Sequence, residues 1–212
     1  MAQIPGPAKE RLLSLMRLLE KQAGGRITSG EVEALTGWSS HTIRKDISYL
    51  GGAAGNSTGY DPETLIPAIK QALGLGVRRR LCVVGLGRLG SAYLNFRGFD
   101  TIPAGPSDEP GGEFELAAGF DTSVNRVEIL QSPVPLYPAF KMGEVISRFG
   151  IELALLCVPE AAAQSAAEKL AAAGIRGIVN FAPLILQLPP EIAVRNVYVV
   201  DELRALALKL SE

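Results

Sequence analysis

Cysteine and histidine are almost absent from this chain, which has two cysteines, Cys82 and Cys157, and one histidine, His41. Each cysteine lies in an apolar run, with no CxxC pair and no cluster with His41. A disulfide-built scaffold and a zinc site are thereby excluded, and a reducing compartment fits. Long apolar runs are missing too: nothing approaches the roughly 18 successive apolar residues of a membrane span. The opening MAQIPGPAKER lacks the apolar core of a signal peptide. These absences predict a cytoplasmic protein with no metal and no membrane partner. Hydrophobic types at 47% and charged types at 20% suit an ordinary soluble core. The 212 residues allow one large domain or two small ones.

Net charge is also nearly absent, at −1, until the chain is split. Residues 1–80 hold eleven Lys/Arg against seven Asp/Glu, and residues 81–212 hold ten against fifteen. A basic front half suits contact with an anionic polymer, although Arg78-Arg79-Arg80 supplies three of the eleven.

Pro7 opens a helical pattern with Leu12, Leu15, Met16, Leu18 and Leu19 near one face, stopped by Gly24-Gly25. Thr28 with Glu31 reads as a capping box for a short helix from Ser29 to Leu35. Thr36-Gly37-Trp38 is a tight turn. Ser39 or Ser40 caps the next helix, which turns Ile43, Ile47 and Leu50 inward. Short helix, glycine-bearing turn and second amphipathic helix form the helix-turn-helix pattern. The outward stripe of the second helix holds His41, Arg44, Lys45 and Ser48. A recognition helix uses such a stripe to reach base edges and neutralise phosphates, whereas the plain alternative is a solvated face. The candidate DNA contacts are Ser40, His41, Thr42, Arg44, Lys45 and Ser48. Asn56 and Ser57 join them from GGAAGNSTGY, a glycine-rich candidate wing without Lys or Arg. Asp61-Pro62 starts a further helix through Leu73, and Gly74-Leu75-Gly76 marks a boundary.

In the back half, the apolar run Leu81-Cys82-Val83-Val84 reads as a buried parallel strand. Gly85-Leu86-Gly87-Arg88-Leu89-Gly90 follows it and leads into the helical SAYLNF. Strand before and helix after give this G-x-G-x-x-G its meaning as the phosphate-binding turn of a Rossmann domain. Gly85 permits the turn, Gly87 lets a pyrophosphate approach, and Gly90 lets helix pack on strand. FELAAGF is the second strand, closed by Asp121, 31 residues past Gly90. The usual spacing is about 20; the Pro/Gly-rich TIPAGPSDEPGG explains the excess. A carboxylate there bonds the ribose hydroxyls and repels a 2′-phosphate, so NAD(H) is expected over NADP(H), with Arg88 as the counter-signal. LALLCV at 153–158, GIVNF at 177–181 and VYVV at 197–200 read as further strands, with a helix over 161–173. Their ends place Val158, Pro159, Phe181, Ala182 and Pro183 beside the nicotinamide. Asp201 is expected to cap a last helix, whose Leu203, Leu206 and Leu210 stripe packs either at home or in a dimer.

A dehydrogenase needs an acid–base residue near the nicotinamide. His41 lies in the other half, and no Tyr-x-x-x-Lys pair occurs in this one. No catalytic residue is therefore assigned, and a regulator that binds NADH or NAD+ without reacting fits better. An NAD-dependent oxidoreductase with an appended DNA-binding domain is the rival.

Along nearly its whole length the sequence resembles the Rex family of redox-sensing transcriptional repressors. The resemblance is carried by IPGPAKERL, HTIRKDISYLG, VVGLGRLGSA, FD at 120–121, LCVPEAAAQSAAEKL, AAGIRGIVNFAP and VRNVYVVDEL. It implies an α/β fold in which an N-terminal all-α winged helix-turn-helix precedes a Rossmann domain. It implies a homodimer that holds double-stranded operator DNA when NAD+ prevails, released by NADH, with the C-terminal helix exchanged between subunits. The expected division is 1–76 for the winged helix, 77–200 for the Rossmann domain and 201–212 for the dimerisation helix. Arg44 and Lys45 would contact DNA, and Gly85, Gly87, Gly90 and Asp121 would hold the dinucleotide. Three positions depart from the family pattern. The wing has Gly55-Asn56-Ser57 in place of a basic triplet, Phe96 replaces a tyrosine, and Tyr198 replaces an aspartate. A relative that binds dinucleotide without redox switching is the third reading.

Overall fold

The chain divides between Val77 and Arg78 into two units, Met1–Val77 and Arg78–Glu212. The structure is a computed structural model and describes residues 4–21, 25–51, 59–96, 98–101 and 113–210. In the first unit, helix α1 (Gly6–Lys21) buries Ala8, Leu12, Leu15, Met16 and Leu19. The capping box forms as expected: Thr28 Oγ1 accepts from Glu31 N at 3.2 Å, and Glu31 Oε2 accepts from Thr28 N at 2.7 Å. It starts α2 (Ser29–Thr36), which Gly37 ends in the left-handed region at φ 73°. Ser39 caps α3 (Ser40–Ser48) by accepting from Thr42 N, and α3 buries Ile43 and Ile47. Asp61 caps α4 (Pro62–Leu73), which buries Leu65 and Ile69. Each such Leu or Ile, fully removed from water, contributes about 2 kcal/mol. Ile27 and Tyr60 pair as an antiparallel bridge, with mutual backbone bonds of 2.9 and 2.7 Å. The candidate wing residues Asn56 and Ser57 lie outside the described residues.

Among the described residues, the second unit forms a seven-stranded sheet, every pairing parallel. Its strands are β1 (Arg79–Val84), β2 (Asp100–Thr101), β3 (Phe114–Asp121), β4 (Leu136–Pro138), β5 (Leu153–Leu156), β6 (Gly177–Asn180) and β7 (Ala193–Asn196). β3 pairs with β1 on one side; on the other it takes β2 near its start and β4 near its end. With the two-residue β2 set aside, the order β4-β3-β1-β5-β6-β7 is that of a dinucleotide-binding sheet. The strand pattern of β1 explains its unbroken apolar run. Cys82 and Val84 enter a core with α7 (Met142–Phe149) and α8 (Glu160–Ala172), while Leu81 and Val83 enter another with Leu86, Leu94 and Leu116. A strand buried on both faces has no polar side to alternate.

One element differs from its expectation. VYVV is not the last strand: β7 is AVRN, and α9 (Val199–Lys209) begins two residues before Asp201. Buried Asn180 fixes this register, since its Nδ2 donates to Asn196 Oδ1 at 3.0 Å and its carbonyl accepts from Val197 N at 2.8 Å. The chain leaves the sheet there. Asp201 and Glu202 then occupy the first helical turn, where the helix dipole favours anions, and Asp201 is not the cap. Along α9, Leu203, Leu206, Leu208 and Leu210 are all exposed, so the stripe does not pack at home.

Candidate functional site

At the end of β1 the backbone turns through Gly85 at φ 88°, a conformation open to glycine. A Cβ on Gly85 would stand 2.7 Å from the carbonyl oxygen of Cys157, so the close approach of the two chains just past β1 and β5 admits no side chain. A Cβ on Gly90 would overlap the Gly85 carbonyl, because α5 (Arg88–Leu94) lies directly on the turn. Gly87 faces open space, the opening that a ligand phosphate needs to reach the backbone. The three glycines thus separate into two that permit packing and one that leaves room.

Asp121 is almost fully buried where β3 meets this turn. Its Oδ2 accepts from Leu86 N at 2.7 Å and Arg126 Nη1 at 2.9 Å, and its Oδ1 from Ser123 N at 2.8 Å. Burial alone would raise the carboxyl pKa. The Ser123 and Leu86 amides and the Arg126 guanidinium outweigh it and hold the group below its ordinary 3.8. The carboxylate therefore already secures the glycine turn by a bond across 35 residues. Arg126 enters from α6 (Val124–Ile129) and was not among the residues singled out by sequence. The signal was present in Ser123, which caps α6 and sets Arg126 one turn on.

Gly85, Gly87, Asp121, Val158 and Pro159 line one cleft of about 740 Å3, together with Thr122, Arg126, Ala139, Cys157 and Lys169. The remaining sequence candidates take other places. The Leu86 side chain is buried under the turn, and Gly90 is buried against it. Arg88 and Leu89 are exposed on α5. Ala182 is core, and Phe181 lies 5.1 Å from the ring of Tyr93. Pro183 is exposed on the segment that Asn180 ties down, its Nδ2 donating to Leu184 O at 2.8 Å. Burial pushes the Cys157 thiol up to about 12, so it stays protonated near neutrality and is a poor nucleophile.

On α3 the side chains of His41, Arg44, Lys45 and Ser48 are exposed on one face, as the spacing required. Ser40 and Thr42 are half-buried and already bonded. The Ser40 hydroxyl and N–H donate to Glu33, and Thr42 pairs with Ser39 at 2.9 Å. Those hydrogen bonds from Ser40 hold Glu33 below its ordinary 4.5. Sequence reasoning missed Asp46. It is buried on the opposite face and receives a bidentate bond from Arg11 of α1, at 2.6 and 2.9 Å. The front half is less basic than the split at residue 80 implies. Arg78, Arg79 and Arg80 belong to the second unit, where they pair with Glu115 and Glu152. Residues 1–77 then hold eight Lys/Arg against seven Asp/Glu. Positive charge is a property of the α3 face, not of the half-chain.

The chain is similar to proteins of known role. Residues 78–184 match the CoA binding domain family. Over 204 residues, 92% of this chain and 88% of the relative, the sequence is 37% identical to the redox-sensing transcriptional repressor Rex of Thermus thermophilus. The chain belongs to the Rex family. The Rex of Ligilactobacillus salivarius is 31% identical over 207 residues, 96% of this chain and 92% of its own. Among solved structures, RSP in complex with NAD+ and operator DNA is similar at TM-score 0.82 and 29% identity, over 99% of this chain and 94% of that one. RSP in complex with NADH gives 0.79 and 28%, over 99% and 95%. In this Rex-family chain Phe96 stands edge-on to Tyr93 at 6.1 Å and to Phe99 at 5.2 Å. Tyr93 in turn faces Phe181, so Phe96 sits in an aromatic row that reaches the end of β6. Tyr198 is half-buried at the entry to α9. Among the described residues no helix is long and apolar enough to cross a membrane, and no His/Cys/Asp/Glu group could hold a metal.

Proposed function

We propose that this chain is a cytoplasmic redox-sensing repressor that holds operator DNA as a homodimer and releases it when NADH occupies its Rossmann cleft. The observation that carries the reading is the cleft itself. Its floor at Gly87 is open, and it lies at the β1/β5 switch point of the sheet. Its volume falls within the range of about 300–1,000 Å3 typical of cofactor sites. Gly85 and Gly87 receive the pyrophosphate, Asp121 meets the adenosine ribose, and Val158 and Pro159 border the nicotinamide end. Leu86, Arg88, Leu89 and Gly90 shape the turn, while Phe181, Ala182 and Pro183 form the strand-end segment beside it. Bound dinucleotide supplies the redox signal as its oxidised or reduced form; the chain's own groups bind and orient it.

On α3, Arg44 and Lys45 neutralise phosphates, and His41 and Ser48 face the base edges, with Ser40 and Thr42 fixing the helix start. Asn56 and Ser57 offer the wing only hydrogen bonds. The exposed Leu203, Leu206 and Leu210 of α9 pack against a second copy of the chain, exchanged between subunits. Relatives of this family are repressors, and RSP is a Rex-family repressor seen with NAD+, NADH and operator DNA. The enzyme reading has no such support.

A gel shift on a pseudo-palindromic operator tests this reading. DNA should be retained with NAD+ and released with NADH. Equal affinity for the two cofactors, with no effect of either on DNA, would leave a dinucleotide-binding relative without a switch. No shifted DNA at all would remove the repressor.

A further inference from the structure

A second cavity of about 570 Å3 adjoins the cleft, and Thr122, Ala139, Met142 and Lys169 line both. Phe140 stands in its wall and is 80% exposed. The ring sits on a short 3-10 turn, Ala139–Lys141, directly after β4. β4 is fixed by pairing with β3, with Pro138 in register with Asp121. Phe140 is thus held two residues from the level of the ribose-binding carboxylate. It lies on the β3 side of the switch point, where a sheet of this order directs the adenosine half of a dinucleotide. Among the described residues no other aromatic ring contacts it, unlike Tyr93, Phe96, Phe99, Phe120 and Tyr137. An aromatic face left bare at a rigid position beside a ligand cleft is suited to a flat aromatic partner.

We propose that Phe140 is the face on which the adenine ring of the bound dinucleotide stacks, with the neighbouring cavity receiving the outer edge of the base. The proposal rests on the dinucleotide reading above and adds the residue that recognises the purine. Stacking of this kind is blind to the nicotinamide, so Phe140 sets affinity for both redox forms equally and leaves their ratio alone.

The test is titration of the full chain with ADP-ribose, NADH and NAD+, in wild type, Phe140→Ala and Phe140→Trp. Phe140→Ala should weaken all three by about tenfold, the size expected for one stacked base, with the NADH-to-NAD+ ratio and apo DNA affinity unchanged. Phe140→Trp should keep ADP-ribose affinity, and its added fluorescence should change on binding, read against wild type, which has only Trp38. ADP-ribose affinity within twofold of wild type in Phe140→Ala overturns the proposal. So does a change in oligomeric state on that substitution, which would assign the ring to a protein interface. If wild type binds none of the three ligands, the dinucleotide reading itself fails and the stacking face falls with it.

Discussion

Replacing Asp121 by Asn tests whether one carboxylate secures the glycine turn. The side chain keeps its shape and loses its charge and one acceptor oxygen. Leu86 N–H and Ser123 N–H now bond different oxygens of the carboxylate, at 2.7 and 2.8 Å. An amide can serve only one of them, and its NH2 faces the other donor. Leaving a buried backbone N–H unsatisfied costs about 1–3 kcal/mol. The Arg126 side chain is 49% exposed, so losing that ion pair adds at most about 1 kcal/mol. The expected loss is about 1–4 kcal/mol, read by urea denaturation of the second unit at neutral pH. The pKa of Asp121 is depressed in the fold, so its stabilisation is fully present above the ordinary 3.8 and is lost as pH falls below it, through the folded value. The gap between wild type and Asp121→Asn should therefore narrow under acid. A variant within about 0.5 kcal/mol of wild type at neutral pH, the size of an unremarkable surface change, would refute the assignment.

Arg44→Ala and Lys45→Ala should each weaken operator binding and lower the salt slope of log K by about one, if each neutralises one phosphate; gel shifts at several salt concentrations check this. Leu206→Glu should yield a folded monomer by light scattering, because Leu206 is already 56% exposed in the single chain and the charge penalises only burial in a partner. Asp46→Ala should destabilise the first unit by about 3 kcal/mol, the low end of the cost of breaking a buried ion pair, since Arg11 keeps 30% exposure. Urea denaturation followed through Trp38 reads it, and NADH affinity should not change.

What was legible in the sequence was local. The Thr28/Glu31 box, a serine cap at Ser39 or Ser40, the helix start at Asp61-Pro62 and the three glycines of the turn each state their geometry within a few residues, and the fold has each, with Ser39 as the cap. Two kinds of feature were not legible. One is the stretch from α6 to α7, where helices of six and eight residues flank a three-residue strand, too short for a periodic pattern to declare itself. The other is pairing across the chain. Arg11 meets Asp46 and Leu86 meets Asp121, each over 35 residues, and neither partner signals the other in sequence. The arginine run misled for the same reason. Its positive charge is answered by Glu115 and Glu152, which lie far along the chain but beside it in the sheet.

The same long-range pairing changes how Asp121 would meet a ribose under the proposed function. Read from sequence, it is a bare negative charge that bonds two hydroxyls and repels a 2′-phosphate. In the fold, two backbone amides and Arg126 already occupy three acceptor positions. An ionised carboxylate offers about four lone-pair sites, so roughly one remains for a ribose hydroxyl. The adjoining guanidinium also offsets the charge that would turn a phosphate away. If Asp121 meets the ribose as proposed, it discriminates more by where its one remaining acceptor points than by repulsion. The loop it secures carries that direction, because Leu86 N–H fixes the carboxylate and Gly87, one residue on, forms the open floor. On the proposed reading, ribose recognition and phosphate approach are set by the same two hydrogen-bonded segments, and a change that loosens one must loosen the other.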